Sequence, residues 1–413
     1  MRAVAKLRIG RSLWLNRVSN GLGRVRPALR GELAADVAVV GAGITGASVA
    51  WRFADAGLRV ALVEAARVGR GSTAASTALL MQEPDKDLHE LTKQYGRRAA
   101  RRIWELSEEA TADLVRTLRR LRISCELAKR DSVYFTTDAA HARRLRREFQ
   151  HRRTADIAST WLDAAALVRL TGIRGAAAIR THGNAQVDPY KACVGLLRAA
   201  ERRGARIFER SPVRRIRRDG RGVAVETRAG VVRARRVVIA TGYATPEFKP
   251  LAGRFRMMNT YVVTTDRLSA VTRRRLRLED LMLWDTERPY HYARWTADRR
   301  LMLGGADTSR LSGARRRAAV ARGVTAIRRR FETLFPALAG VGSAFAWEGL
   351  FATTPDGLPY IGPHGRYPKH LFALGYGGNG MTFGFLASKL LLEQYQGVRS
   401  ADHELFAFGR TRG

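Results

Sequence analysis

The sequence predicts an α/β protein: a parallel, nucleotide-type layer interleaved along the chain with a mostly antiparallel sheet. Three observations predict it. Val39-Val40-Gly41-Ala42-Gly43-Ile44-Thr45-Gly46 joins an apolar run to a helical pattern. Tyr261–Thr265, Pro289–Thr296 and Leu301–Gly304 are short β-type runs separated by polar turns such as Thr296-Ala297-Asp298. Leu371 to Tyr395 then returns to an apolar run, a loop with four glycines between Gly375 and Gly380, and an amphipathic helix pattern.

The elements follow in order. Val37–Val40 reads as a buried strand, Ala47–Ala56 as a helix stopped by Gly57, and Val60–Val63 as a second strand, which is a βαβ opening. Leu88 to Leu121 is helical and charged, and Ser132–Thr137 is strand-like. From Val187 the βαβ pattern returns. Asp188-Pro189 starts a helix that runs to Arg203 and stops at Gly204. Arg206–Glu209 is a strand, and Val223–Thr227 with Val231–Ala240 forms a hairpin leading into a buried strand. A charged helix is expected over Ala314–Phe331.

This order sets the expected domains. Residues 1–32 form a loose N-terminal arm. Residues 33–86, 186–250 and 343–400 build the nucleotide-binding domain, 87–185 and 251–342 the substrate domain, and 401–413 a C-terminal tail. A chain of 413 residues, 46% of them hydrophobic, is ample for two large cores.

The formal charge of +37 invites a nucleic-acid reading. However, only eight of the 74 basic residues are lysine, and the arginines are spread along the chain. Runs such as Arg143–Arg153 and Arg315–Arg330 are not interleaved with aromatics as a base-stacking platform is. A solvated basic surface is expected, with no specific nucleic-acid partner. Met1 to Leu15 is basic with some apolar residues, so weak contact with an anionic membrane stays open. Cys125 and Cys193 form no C-x-x-C pair, and the histidines are scattered, so no metal site is expected. A reducing, cytoplasmic setting fits the cysteine usage, and no signal peptide is apparent.

Gly41, Gly43 and Gly46 have separate physical roles. Gly41 permits the tight turn, Gly43 lets backbone approach a pyrophosphate, and Gly46 allows close helix–strand packing. Ile44 and Thr45 open the helix, whose N-terminus favours phosphate charge. Glu64 ends the next strand and can accept both ribose hydroxyls, which argues against a 2′-phosphate. This is a Rossmann-like dinucleotide site. Ala65, Arg70, Ser72, Thr73, Ala75 and Ser76 follow the acid, and Ser72 and Thr73 can give a second phosphate contact. Thr241 and Gly242 end a buried strand and can close over the nucleotide, and Val213 is a further contact.

The Gly41–Glu64 unit, Gly71-Ser72-Thr73, Ala240-Thr241-Gly242, and the run from Thr354-Pro355-Asp356-Gly357 to Gly380 resemble the D-amino-acid oxidase and glycine oxidase superfamily of FAD amine oxidoreductases. Within it the chain resembles the bacterial γ-glutamylputrescine and sarcosine oxidoreductase branch, over roughly Leu33 to Gln396. The resemblance implies a glutathione-reductase-like two-domain fold and an extended FAD. It also implies oxidation of an amine or amino acid by hydride transfer to flavin N5, followed by imine hydrolysis. Relatives tether FAD through a cysteine near the Pro-Asp motif or a histidine after the ribose acid. Trp347–Ala352 holds no cysteine and Gly71–Leu80 no histidine, so noncovalent FAD is expected. The sarcosine branch uses a lysine toward oxygen, and Met302 is the best counterpart here. Oxygen, a quinone or an electron carrier therefore stays open as acceptor.

Gly378, Asn379, Gly380, Met381 and Thr382 are expected at the flavin pyrimidine edge, where a helix N-terminus offsets negative charge. Tyr290, Tyr292 and Arg294 alternate, so they share one strand face. The tyrosines are expected to cage an amine and Arg294 to clamp a carboxylate. With Asn379 they are the catalytic candidates. Asp356 is expected to order its turn. Two other readings stay open from residues alone: an NAD-dependent dehydrogenase, and a flavin-fold protein that binds nucleic acid or modifies RNA.

Overall fold

A computed structural model describes residues 8–17, 24–278 and 280–411. Among these residues, the strands form two large sheets. The first is an eight-stranded sheet built around Gly31–Val40. That strand pairs in parallel with Val60–Val63 on one side and with Gly230–Gly242 on the other. Arg206–Phe208 and Tyr367–Leu374 extend the parallel region outward. Where they lie side by side, at Val37–Val39, Val60–Val63, Val237–Ala240 and Leu371–Leu374, these strands are buried and apolar, as the centre of a parallel sheet is.

The helix Ile44–Asp55 packs between Gly380–Tyr395 and Pro189–Arg202 on this sheet. The Asp188 carboxylate caps the last of these, accepting from Lys191 N at 3.0 Å. The long helix Leu88–Arg120 starts at a capping box formed by Asp87 and Glu90 and bends at Gly96.

The second sheet has ten strands and is mostly antiparallel. Its centre is Arg256–Thr265, between Leu301–Ser309 and Ser343–Thr353. Leu281–Asp285 and Ala128–Thr136 are a parallel exception within it. Gly313–Leu334 covers the sheet with Ile327 and Phe331.

Four expectations need correction. Residues 343–353, expected with the nucleotide domain, are a strand of the ten-stranded sheet, paired with Arg256–Thr265. The arm is not loose. Arg8–Ile9 pairs with Ser343–Thr353, and Leu13 and Trp14 are buried in the core, so they are not offered to lipid. Met1 to Leu7 lie outside the described residues. The Arg143–Arg153 run is not wholly solvated either. It belongs to the helix Ala139–Thr154, and Arg152 is buried within it, with Nε on Glu148 Oε1 at 2.8 Å. The C-terminal tail is also docked: Arg410 Nε donates to Asp356 Oδ2 at 2.7 Å.

Candidate active site

One cavity of about 480 Å³ runs between the two sheets, a size ordinary for a small-molecule or cofactor site. Its first part is the Gly-rich loop. Gly41 has φ +100°, and a Cβ there would stand 2.8 Å from Ala240 O. A Cβ on Gly46 would fall 1.8 Å from Gly41 O, so this glycine lets the helix pack on the strand end. Ile44 N donates to Thr73 Oγ1 at 2.9 Å, tying the loop to the short helix Ser72–Ala75. Glu64 is fixed by two amides, Ala42 N at 2.8 Å and Ala66 N at 2.9 Å. Ser72 Oγ donates across to Leu350 O at 2.7 Å.

The second part is built from the terminal loop and the ten-stranded sheet. Gly378 N donates to Asp85 Oδ2 at 2.6 Å. Asn379 Nδ2 donates to Glu83 O, and Thr382 Oγ1 to Met81 O at 2.9 Å. The loop is thus pinned on residues 81–85. Trp284, Tyr290 and Tyr292 make an aromatic wall, with ring centroids 6.4 Å and 5.9 Å apart along it. Thr260 Oγ1 lies 3.2 Å from the Tyr292 hydroxyl. Burial lifts both tyrosine phenols above their ordinary range. It also lifts the carboxyls of Asp85 and Asp307 to about 6, against the opposing bonds from Gly378 N and Thr260.

Most of the expected site residues line this one cavity: Gly41, Gly43, Ile44, Thr45, Glu64, Ala65, Arg70, Ser72, Thr73, Ala75, Ser76, Val213, Thr241, Gly242, Gly378, Asn379, Gly380, Met381, Tyr290 and Tyr292. Gly46, Thr382 and Arg294 do not. Gly46 and Thr382 sit just behind the lining. Arg294 requires correction as a carboxylate clamp. It shares the strand face of Tyr292, but two residues advance a strand by about 6.6 Å, past the end of the cavity. There it is 3% exposed. Its Nη1 and Nη2 reach Ala78 O at 3.4 Å and Val187 O at 2.9 Å, and its guanidinium lies over Trp14 at 5.0 Å.

The sequence reading missed Asp85, Asp307, Trp284 and Thr260. Asp307, an acid ending the apolar strand run from Leu301, was the available signal. Asp85 sat in Glu83-Pro84-Asp85-Lys86-Asp87, which reads as a turn. Asp87, His89 and Glu148 do bring ligand-type atoms within 4.8 Å of one another. Glu148, however, is committed to the amides of Leu88 and His89 and to Arg152.

The cradle over Gly41, the fixed acid at Glu64 and the length of the lining all fit an extended dinucleotide. A family model for FAD-dependent oxidoreductases, DAO, matches residues 36–394. The chain belongs to the DAO family of FAD-dependent oxidoreductases. Membership decides between FAD and NAD in favour of FAD, and gives the nucleic-acid reading no support. Gamma-glutamylputrescine oxidoreductase of Escherichia coli (strain K12) is 30% identical over 394 residues, which is 93% of this DAO-family chain and 90% of that one. Glycine oxidase of Bacillus subtilis (strain 168) is 25% identical over 87% of this chain and 93% of its own. The crystal structure of glycine oxidase from Geobacillus kaustophilus superimposes with a TM-score of 0.77 at 23% identity, over 92% of this chain and all of that one. Among the described residues, no helix is long and apolar enough to cross a membrane.

Proposed function

We propose that the protein oxidises the C–N bond of an amine or amino acid, with noncovalent FAD as its cofactor and imine hydrolysis as the final step. The observation that carries this is the wall of Asp85, Tyr290 and Tyr292 beside Gly377–Met381. A carboxylate and aromatic faces are the chemistry that receives an ammonium group. Two relatives spanning nearly the whole chain, named for a glutamylated diamine and for glycine, support the same reaction class.

When bound, FAD supplies the hydride acceptor. The chain's residues orient the amine and exclude water. Tyr290 and Tyr292 hold the carbon chain by their faces, and the Asp85 carboxylate accepts from the nitrogen. The N-terminus of Gly380–Tyr395, with Gly380 and Met381 on the cavity, offers fixed backbone dipoles to negative charge.

No cysteine or histidine lines the cavity among the described residues, which supports noncovalent binding. Cys193 lies behind the Gly-rich loop, its Sγ 3.5 Å from Ala42 O, and burial pushes its thiol up to about 12. We favour a quinone or electron carrier over oxygen as acceptor. Electron transfer to oxygen creates an anion, and among the described residues no cationic side chain lines the cavity beside the tyrosines; Arg288 acts on Tyr290 and Asp85 from off the lining. Met302 is fully buried off the cavity. Two free, buried thiols support a cytoplasmic setting.

The purified protein is expected to be yellow, with a flavin band near ~450 nm, and acid precipitation is expected to release the flavin. Addition of a suitable amine without oxygen is expected to bleach the band, with slow return in air. A protein that stays colourless with FAD, or whose flavin no amine or amino acid reduces, refutes the proposal.

A further inference from the structure

The cavity's charge is opposite to the protein's. The chain carries a formal +37 from 74 basic residues among 413. Among the described residues, Arg70 is the one cation on the cavity wall, and it stands with Gly69 and Ser72 at the phosphate part. The part beside the tyrosines carries acids. Glu83 is already committed, because Ser132 and Asn184 donate to its two oxygens. Asp85 and Asp307 are not committed in this way. Asp85 holds one amide, that of Gly378, and lines the cavity. Asp307 lines it from the strand Leu301–Ser309, and its Oδ1 is buried with no hydrogen-bond partner. Both acids lie within electrostatic reach of the Tyr290 hydroxyl.

An amino acid brings an ammonium and a carboxylate into such a site. Its carboxylate would meet two acids and, among the described residues, no cation on the wall beside the tyrosines, because Arg294 is held on Ala78 O and Val187 O and Arg288 acts on Asp85 from off the lining. A buried carboxylate oxygen without a donor is costly. An ammonium offers three donors, and flanking aromatic faces attract it further.

We propose that the substrate is a dication, a diamine or polyamine with one ammonium held by Asp85 and a second by Asp307, its carbon chain lying along Tyr290 and Tyr292. This rests on the amine-oxidising reading and deepens it. Asp307 lies three residues beyond Gly304, the strand partner of Tyr292, and is linked to Tyr292 through Thr260. In this arrangement Asp307 is a specificity residue, and the Asp85 carboxylate takes one proton from the reacting ammonium, because only the neutral amine can release a hydride from the adjacent carbon. Burial favours the neutral carboxyls, and two ammonium groups restore the charged forms.

The test uses the FAD-loaded enzyme and three ligands of one chain length: 1,4-diaminobutane, its mono-N-acetyl derivative, and 4-aminobutanoate. The comparison is repeated with the three- and five-carbon series. Binding is read by calorimetry on dithionite-reduced enzyme, where no turnover occurs, and flavin reduction by stopped flow on oxidised enzyme. The diamine is expected to bind about tenfold or more tightly than the acetylated form, with the amino acid weakest. Asp307→Asn is expected to bring the diamine and the acetylated form within about twofold of each other, with flavin absorbance per protein unchanged. If that variant loses flavin, the three-ligand comparison on the unaltered enzyme still decides. Tighter binding of 4-aminobutanoate, or equal binding of diamine and acetylated amine, overturns the dication. Flavin that no amine reduces instead overturns the amine-oxidising reading.

Discussion

Asp85 and Asp307 tie the site to pH. Burial lifts both carboxyls to about 6, above an unfolded value of about 3.9. On their account the fold is stabilised at acid pH and loses that contribution as pH rises through about 6. Substrate binding has the opposite sign, because a cationic amine needs the charged carboxylates. Arg288 and His291 add opposing charge nearby and the Tyr290 phenol stays neutral, so the two acids dominate. The value of kcat/KM for a cationic amine is expected to fall below pH about 6, and Asp85→Asn to remove part of that limb, as a pH–rate profile would read. Gly378 gives a second prediction. A Cβ there would stand 2.6 Å from the Tyr290 hydroxyl and 2.9 Å from Asp85 Oδ1. Gly378→Ala is therefore expected to keep flavin but lower kcat/KM by about tenfold or more through displacement of both groups. At this scale the sequence was legible where backbone geometry dictates residue type, as at Gly41 and Glu64. It was not legible at Arg294, where strand parity gives the face of the sheet but not where the cavity ends.

Among the elements, the segment Ala75–Ala78 is clamped from behind. Trp347 Nε1 donates to Ala75 O at 2.9 Å, Trp14 Nε1 to Ser76 O at 2.8 Å, and Arg294 to Ala78 O. The N-terminal arm is thus part of the wall that carries Ser76 to the cavity. Trp14→Ala is expected to cost about 3–5 kcal/mol of stability and to loosen flavin, measured by Tm and by absorbance after dialysis. The βαβ unit was readable from pattern alone, as was Pro189–Arg202 with its Asp188 cap. The strand Ala177–Gln186 was not. Its buried Thr181 and Asn184 break the apolar alternation, and Asn184 earns its place by bonding Glu83 and Gln82 across the sheet. Only tertiary partners make such a strand stable. The helix Ala139–Thr154 was hidden in the same way, because its arginines masked a buried pair.

For the whole molecule, the contrast between surface and cavity predicts a salt effect. A cationic amine approaches a strongly positive protein and is repelled until it reaches the acids. Screening shortens that repulsion to about 8–10 Å at ordinary ionic strength, while enclosed pairs are screened less. Added salt is therefore expected to raise kcat/KM for cationic amines. It is expected to slow re-oxidation by an anionic electron carrier, whose approach the surface favours, and stopped-flow rates across a salt series would check both directions. The two-domain plan was legible because nucleotide-type segments recur at the start, middle and end of the sequence. Its seam was not, since Ser343–Thr353 follows its pairing partner and not its neighbours in the chain. The same recurrence bears on how the enzyme is made. The cavity wall begins at Val40 and closes with Met381, so a nascent chain has no complete site until Met381 has left the ribosome. Cofactor capture then follows synthesis of all three nucleotide-type segments, and the supply of free flavin sets how long each new molecule waits with an open acidic cavity.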